Sequence, residues 1–408
     1  MILPSLTLFT LVALAPAPEL TPAAPTAEDW PTWRGPSGNG VAPSKTAPVQ
    51  WDAETNVKWK VALANPANGS PVVAGDRIFL TTPDDVEGKT RSLECYARED
   101  GALLWRRSVE FGKVMPTHRT NPYGGSTPAT DGEVVVVWHA SAGLYCYDME
   151  GEELWARDLG EFKHIWGYGT SPVLHEGKVI LNTGPGETSF VIALDLETGK
   201  TLWETVEPDF RTEEQLEQKR IAGSWCTPII VEQDGKELVV CGQPTRVVAY
   251  DMADGSQVWT CDGVAGTRGD LTYSSPVVAD DTCIFVGGWE GPTLGVKLGG
   301  KGDVTESHRA WRHAGQMSNC ASGVHVNGRV FIPDMRGTLW CIDPATGLAD
   351  WKERIARGGT WGSIVVVGDV MYLLTQDGTT VVFKGSKDGL EVLAENAIPE
   401  QTNSTLAI

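Results

Sequence analysis

Six segments of the chain concentrate the side chains that could do chemistry. They are His118-Arg119-Thr120-Asn121-Pro122-Tyr123, His164-Ile165-Trp166-Gly167-Tyr168, Lys219-Arg220 through Trp225, Arg268-Gly269-Asp270 through Tyr273, His313 through Gln316 with Asn319, and Arg357 through Trp361. In all but the fifth, a basic or imidazole group precedes an aromatic residue. Cations neutralise an anion and rings pack against flat or apolar groups. Brought together, such a set suits an anionic, flat or peptide-like ligand. The same residues serve equally well to pack and brace loops. Asp270 is the carboxylate of the set to test as a general base, against the ordinary reading of a loop aspartate. No Cys-x-x-Cys, phosphate-binding glycine loop, nucleophile elbow or zinc-protease helix motif occurs.

The six segments share a context. Each leads into a phrase of Ser or Thr, usually Pro, two or three β-branched or apolar residues, then Gly or Asp. Copies begin at Ser70, Thr127, Ser171, Thr227 and Ser275, with weaker ones at Ser322, Ser363 and Thr405, 41 to 57 residues apart. That spacing fits one small β-sheet per unit, with loops absorbing the variation.

A second phrase follows in most units. Ala193-Leu194-Asp195-Leu196-Glu197-Thr198-Gly199-Lys200-Thr201-Leu202-Trp203 is its fullest copy. Residues 249–259 and 341–351 match closely, 95–105 has Ala97 in place of the Asp, and 146–155 is one residue shorter. Gly supplies the positive φ of a tight hairpin, and Trp follows on the outgoing strand, where alternation directs it to one face. Indoles recurring in one register would wedge between neighbouring sheets. Each would cover on the order of 150–250 Å², roughly 4–6 kcal/mol before entropy is subtracted. Trp59, Trp105, Trp155, Trp203, Trp259, Trp311 and Trp351 are the expected docking residues.

Four strands per unit, with seven or eight units in a row, predict an all-β fold: an eight-bladed β-propeller of four-stranded antiparallel blades. A solenoid is the competing architecture. In a propeller the loops entering the inner strands lie on one face around the central channel. That placement predicts a basic, aromatic-lined funnel of His118, Arg119, Asn121, Tyr123, His164, Trp166, Tyr168, Trp225, Arg268, Asp270, Tyr273, His313, Asn319, Arg357 and Trp361. Units begin near residues 69, 125, 169, 223, 273, 320 and 360, and Leu393 stands where the seventh should carry Trp. Asn56 to Val61 reads as the outer strand of a closing blade, and Asn403 to Ile408 as its inner strand. The eighth blade is thus expected to be incomplete, and a chain longer by about 30–40 residues to behave better, since open edges invite aggregation. The expected division is a leader (1–27), an N-terminal segment (28–68) and the propeller (69–408).

The chain's 408 residues include 33 basic and 53 acidic side chains, a net charge of −20. That balance argues against nucleic acid and against an anionic membrane surface as partners. Ile2 to Ala15 is apolar and is followed by Pro/Ala-rich sequence to Ala27. The pattern reads as an export leader too short to span a bilayer, although no Lys or Arg precedes Arg34. No later apolar run is long enough to span one, so a periplasmic or other extracytoplasmic location is expected. Cys95, Cys146 and Cys341 align with Ala193 and Ala249, a small core position, and read as free thiols. Cys226 and Cys241 fall on adjacent strands, where a disulfide could form. Thr212-Glu213-Glu214-Gln215 has the form of a capping box opening a short helix up to Arg220.

The phrase Ala-x-Asp-x-x-Thr-Gly-x-x-x-Trp resembles the tryptophan-docking motif of the pyrroloquinoline quinone (PQQ) repeat superfamily. That superfamily includes the quinoprotein alcohol dehydrogenases and the outer-membrane assembly lipoprotein BamB. Asp29-Trp30-Pro31-Thr32-Trp33-Arg34-Gly35-Pro36 and Gly302-Asp303-Val304-Thr305 resemble the PQQ-binding-like propellers of planctomycete-type bacteria. The resemblance spans nearly the whole chain after the leader. It implies the fold and leaves activity open, because the motif is structural. It implies first a non-catalytic binding or assembly module outside the cytoplasm; with the leader and the funnel residues, the expectation is an exported monomer whose partner is an envelope protein or an anionic small ligand, with no cofactor assigned. The alternative is a PQQ-dependent dehydrogenase acting on an alcohol or sugar. That chemistry needs Ca²⁺ held by Asp, Glu and Asn oxygens, a general base, and a clamp on the quinone's carboxylates. The alcohol dehydrogenases carry adjacent cysteines against the quinone. No adjacent pair occurs here, no residues match the Ca²⁺ ligands or catalytic Asp, and the chain is shorter than such an enzyme. The expectation is therefore binding, with no catalytic or metal-ligating residue assigned.

Overall fold

The computed structural model describes residues 29–186, 188–209, 211–317 and 319–408. The expected leader lies outside them. Seven sheets of four antiparallel strands follow one another at 72–110, 129–157, 173–207, 229–262, 277–317, 324–354 and 365–397, numbered here as blades 1 to 7. Within each, the strands are added in chain order from the inner to the outer edge. The middle strands are apolar on both faces, as in Val134–Trp138, because each blade is sandwiched between two others. Outer strands such as Leu103–Glu110 alternate between half-buried and exposed positions. The core is accordingly a series of inter-blade layers. Blade 2 meets blade 3 through Val136, Trp138, Leu181 and Ile192, and blade 3 meets blade 4 through Ile180, Val191, Val239 and Val248. The architecture is a multi-bladed β-propeller.

The indoles do what their register demands. The side chains of Trp59, Trp105, Trp155, Trp203, Trp311 and Trp351 each donate Nε1–H to a carbonyl in the next blade's outer hairpin. The acceptors are Arg98, Met149, Leu196, Met252, Pro344 and Ser386, at 2.8–3.0 Å. Five of these rings also lie flat against the hairpin glycine. A Cβ on Gly101, Gly151, Gly199, Gly255 or Gly347 would come within 2.8 Å of the preceding blade's indole. Glycine is thus required twice over, for its positive φ and for the close approach. Trp259 departs from the pattern. Blade 5 lacks the hairpin phrase, and Gly302–Asp303 instead adds a parallel fifth strand to blade 4 beside Trp259. The indole then donates to Gln233 Oε1 (3.1 Å), which also accepts from Gly299 N (2.9 Å).

A second belt runs around the axis. The residues at the Ser/Thr step of the repeat link hand to hand. The backbone N–H groups of Ser70, Thr127, Ser171, Ser275, Ser322, Ser363 and Thr405 donate to the hydroxyls of Thr127, Ser171, Thr227, Ser322, Ser363, Thr405 and Ser70, at 2.9–3.1 Å. Between blades 4 and 5 the link is reversed, with Ser275 Oγ donating to Thr227 O at 2.5 Å. Eight positions close the ring. Thr405 fills the eighth, while Leu406, Ala407 and Ile408 pack with Trp30 and Val365. Trp59 docks on blade 1 as an outer-strand residue would. Neither terminal segment is assigned a strand of an eighth sheet.

The segment 29–42 crosses the channel from within. Trp30 exchanges both backbone hydrogen bonds with Val73 of blade 1, and Pro31 O accepts from Thr130 N of blade 2. Val41–Ala42 pairs in parallel with the inner strand of blade 7. Arg34, fully buried, donates to Asn39 O (2.9 Å) and to Gly323 O of blade 6. Burial lowers its guanidinium to about 9. At Gly35 a Cβ would come within 2.7 Å of the Trp30 ring, which accounts for the glycine of this motif.

Two expectations are corrected. Cys226 and Cys241 are both free, as are the other cysteines. Cys226 lies in the segment before the inner strand Ile229–Gln233 rather than on a strand, Cys241 lies on Lys236–Gly242, and Cys241 Sγ donates to Cys226 O. The capping box forms, but its helix covers only Glu213–Glu217. No described helix is long and apolar enough to cross a membrane.

Trp203 is buried and Trp59 half-exposed, although both dock in the same way. Trp203→Ala should therefore cost about 3–5 kcal/mol in chemical denaturation, and Trp59→Ala clearly less. Equal losses would count against indole burial as the source of blade cohesion.

Candidate functional site

Antiparallel alternation sends the inner-strand entries and the turns between second and third strands to one end of the propeller. They meet around a cavity of about 370 Å³ on the axis. One wall is aromatic. The short parallel pair Ala222–Ser224 and Asp270–Thr272 places Trp225 and Tyr273 immediately after its two strands, with ring centroids 5.2 Å apart. Trp166 lies 6.0 Å from Trp225 and 6.3 Å from both Tyr273 and Trp289. The rings are tilted by 36–63° to one another, giving a curved surface rather than a parallel slot. Trp361 and Trp33 also line the cavity.

Another wall is a chain of amides. Gln376 Nε2 donates to Asn403 Oδ1 (2.6 Å), Asn403 Nδ2 to Asn68 Oδ1 (3.2 Å), and Asn68 Nδ2 to Asn121 Oδ1 (3.0 Å). Asn121 Nδ2 then donates to the carbonyls of Trp166 and Tyr168, both at 2.8 Å. His118, Thr120 and the belt hydroxyls of Ser70, Thr127, Ser171 and Thr405 complete the polar lining, with Cys320 and Met335 beside them.

Of the fifteen residues expected in the funnel, His118, Asn121, Trp166, Trp225, Tyr273 and Trp361 line the cavity. The rest do not, for separate reasons. Tyr123 and Tyr168 are buried and flank Arg91, whose Cζ lies 5.2 and 5.5 Å from their rings. His164 packs edge-on against Trp225 at 4.8 Å. Asp270 is buried and held in two bonds by Arg220 (2.7 and 2.8 Å) beside a separate cavity of about 50 Å³. Arg268 pairs with Glu290 (2.8 Å) and covers the Trp289 ring. His313 sits on an outer strand, bonded to Thr346 O. Asn319 is fully buried, and Arg119 and Arg357 are exposed beyond the lining.

The expected basic character is therefore displaced from the cavity. No Lys, Arg, Asp or Glu stands among the described residues that line it. Burial also holds His164 at about 4, so the imidazole behind the aromatic wall is neutral at pH 7. Trp33, Trp289, Asn68, Cys320, Met335 and Asn403 escaped the sequence reading. Trp289 and Met335 sit in turns between second and third strands, which alternation alone would have placed on the same face.

Fold and axial pocket together define a propeller with a ligand-sized basin at its mouth. The chain belongs to the PQQ_2 family, described as outer membrane protein assembly factor BamB, whose profile matches residues 89–314 and 303–397. It is similar to polyvinylalcohol dehydrogenases of a Pseudomonas species (23% identity over 83% of this chain and 53% of the relative) and of Sphingopyxis (22%; 83% and 52%). It is also similar to BamB of Shewanella oneidensis (22%; 73% and 67%). The chain spans about half the length of the two dehydrogenases it matches. Among solved structures, BamB from Moraxella catarrhalis aligns with TM-score 0.57 at 15% identity, covering 82% of this chain and 88% of that one. Quinohemoprotein alcohol dehydrogenase from Comamonas testosteroni aligns with 0.64 at 14%, covering 93% and 74%. At these identities the two structures share the fold.

Two measurements probe this geometry. Cys320 is the half-exposed thiol, and burial pushes it up to about 12. In native protein it should be alkylated before the other cysteines, about tenfold faster per pH unit because only the thiolate reacts; peptide mass spectrometry checks the order. The imidazoles of His139 and His164 are lowered by burial to about 3 and about 4. The unfolded chain takes up protons below about pH 6.5 that the fold refuses, so stability is full above that value and falls as pH drops toward 4. Thermal melts of His164→Asn should show a shallower fall than those of the unsubstituted protein.

Proposed function

We propose that the protein is an exported, non-catalytic binding propeller that takes its ligand in the axial basin. The observation that carries this reading is the lining: six aromatic rings and three asparagines, with no Asp, Glu, Lys or Arg among the described residues. Ca²⁺ needs several oxygen ligands, as a rule carboxylates among them, and the quinone's carboxylates need a cationic clamp. The basin offers neither, and the candidate base Asp270 is committed to Arg220 outside it. The residues present do not fit a Ca²⁺-held quinone, and no step is derived through one. The membership in a BamB-described family supports an assembly or scaffolding role in the cell envelope.

The similarity to two polyvinylalcohol dehydrogenases favours a second reading, oxidation of an alcohol with a bound quinone. Calorimetric titration with PQQ, with and without Ca²⁺, separates the two when combined with dye-coupled assays on ethanol, glucose and polyvinyl alcohol. The binding reading expects no saturable heat and no turnover. Tight quinone binding with turnover would reverse the order of the two readings.

A further inference from the structure

The class of ligand can be read from what the basin still has to offer. This step rests on the binding reading above. Each amide nitrogen of Asn68, Asn121 and Asn403 has both hydrogens in use. What their side chains retain is acceptor capacity, a second lone pair on each Oδ1. The belt hydroxyls at the floor are in the opposite condition. Those of Ser70, Thr127, Ser171 and Thr405 each accept a backbone N–H, which leaves the O–H proton to donate. The basin thus presents acceptors along the amide chain, donors along the belt, and aromatic faces.

A carboxylate or phosphate could use only the donors, and an ammonium only the acceptors. An ammonium would find no carboxylate in the lining and an anion no Lys or Arg, only the imidazole of His118, and the protein's net charge of −20 works further against an anion. A planar ring system would call for a parallel slot, whereas the rings here are tilted. Groups that donate and accept at once, carried on a puckered frame with apolar C–H faces, match all three surfaces. We infer that the basin binds a neutral carbohydrate, a sugar or short oligosaccharide whose C–H faces pack on Trp166, Trp225, Trp289 and Trp361. Its hydroxyls bridge the asparagine oxygens and the belt. A volume of about 370 Å³ is in the range of pockets that take small ligands.

The test is a tryptophan-emission titration of the protein with cellohexaose, maltohexaose, xylohexaose and hexa-N-acetylchitohexaose. An oligogalacturonate of the same length and a pool of random decapeptides serve as the charged and peptide counterparts. The inference expects saturation by at least one neutral hexasaccharide. It also expects an affinity at least tenfold weaker in Trp361→Ala and in Trp289→Ala, with the melting temperature of Trp289→Ala unchanged. Trp289 is 42% exposed, so its loss leaves the core intact. Preference for the oligogalacturonate would overturn the ligand's neutrality, and preference for peptides would overturn the carbohydrate class; either one, weakened by the same variants, would leave the basin a binding site. PQQ-dependent turnover would instead overturn the binding reading itself. Silence with every probe would overturn the inference.

Discussion

Cohesion in this molecule comes down to one contact: an indole laid against a glycine hairpin of the following sheet, with its N–H capped by that hairpin's carbonyl. A blade alone has two apolar faces and no means of covering them. The indole covers part of one face and fixes the angle at which the next blade arrives. Repetition of one contact therefore sets both stability and curvature. Trp259 illustrates the dependence. Where blade 5 carries no glycine hairpin, Gln233 and an added strand at Gly302–Asp303 rebuild the contact by other means.

The hydroxyl belt gives the ring a second, polar closure. Each link is a short neutral hydrogen bond of modest net worth. Its value is geometric, since it aligns the inner strands at a common height. That height is also the floor of the basin. Four of its members, Ser70, Thr127, Ser171 and Thr405, thereby face the basin with protons to donate, without any residue being dedicated to ligand alone. The amide chain from Gln376 to Asn121 presents acceptors instead, and ties blade 7, the eighth position and blades 1 to 3 together.

The fold was legible because its determinants are local and periodic. Gly199 and Trp203 lie four residues apart, and Ser171 stands one step from Pro172; such signals survive in a single sequence. The basin was only half legible. Trp225 and Trp361 follow from their place before the Ser/Thr step. Trp289 required counting the turns of the second hairpin as well. The charge of the site could not be read, because it depends on pairings across the chain: Arg220 with Asp270 fifty positions on, and Arg268 with Glu290. A cation in a sequence carries no mark of whether a carboxylate will reach it. The free state of Cys226 and Cys241 is a similar case, since Cys226 falls in the segment before Ile229–Gln233 rather than on the adjacent strand that the repeat suggested.

The strap at 29–42 bears on how the molecule is made. Arg34 meets Gly323 across a separation of 289 residues, and Trp30 meets blade 1 while Val41 meets blade 7. A segment synthesised early thus finds its last partners only when the final blades have formed. Closing so long a loop carries an entropic cost, and in the closed ring the Arg34 guanidinium is fully withdrawn from water. The strap acts as a clasp that fastens the first blade to the last two across the hub.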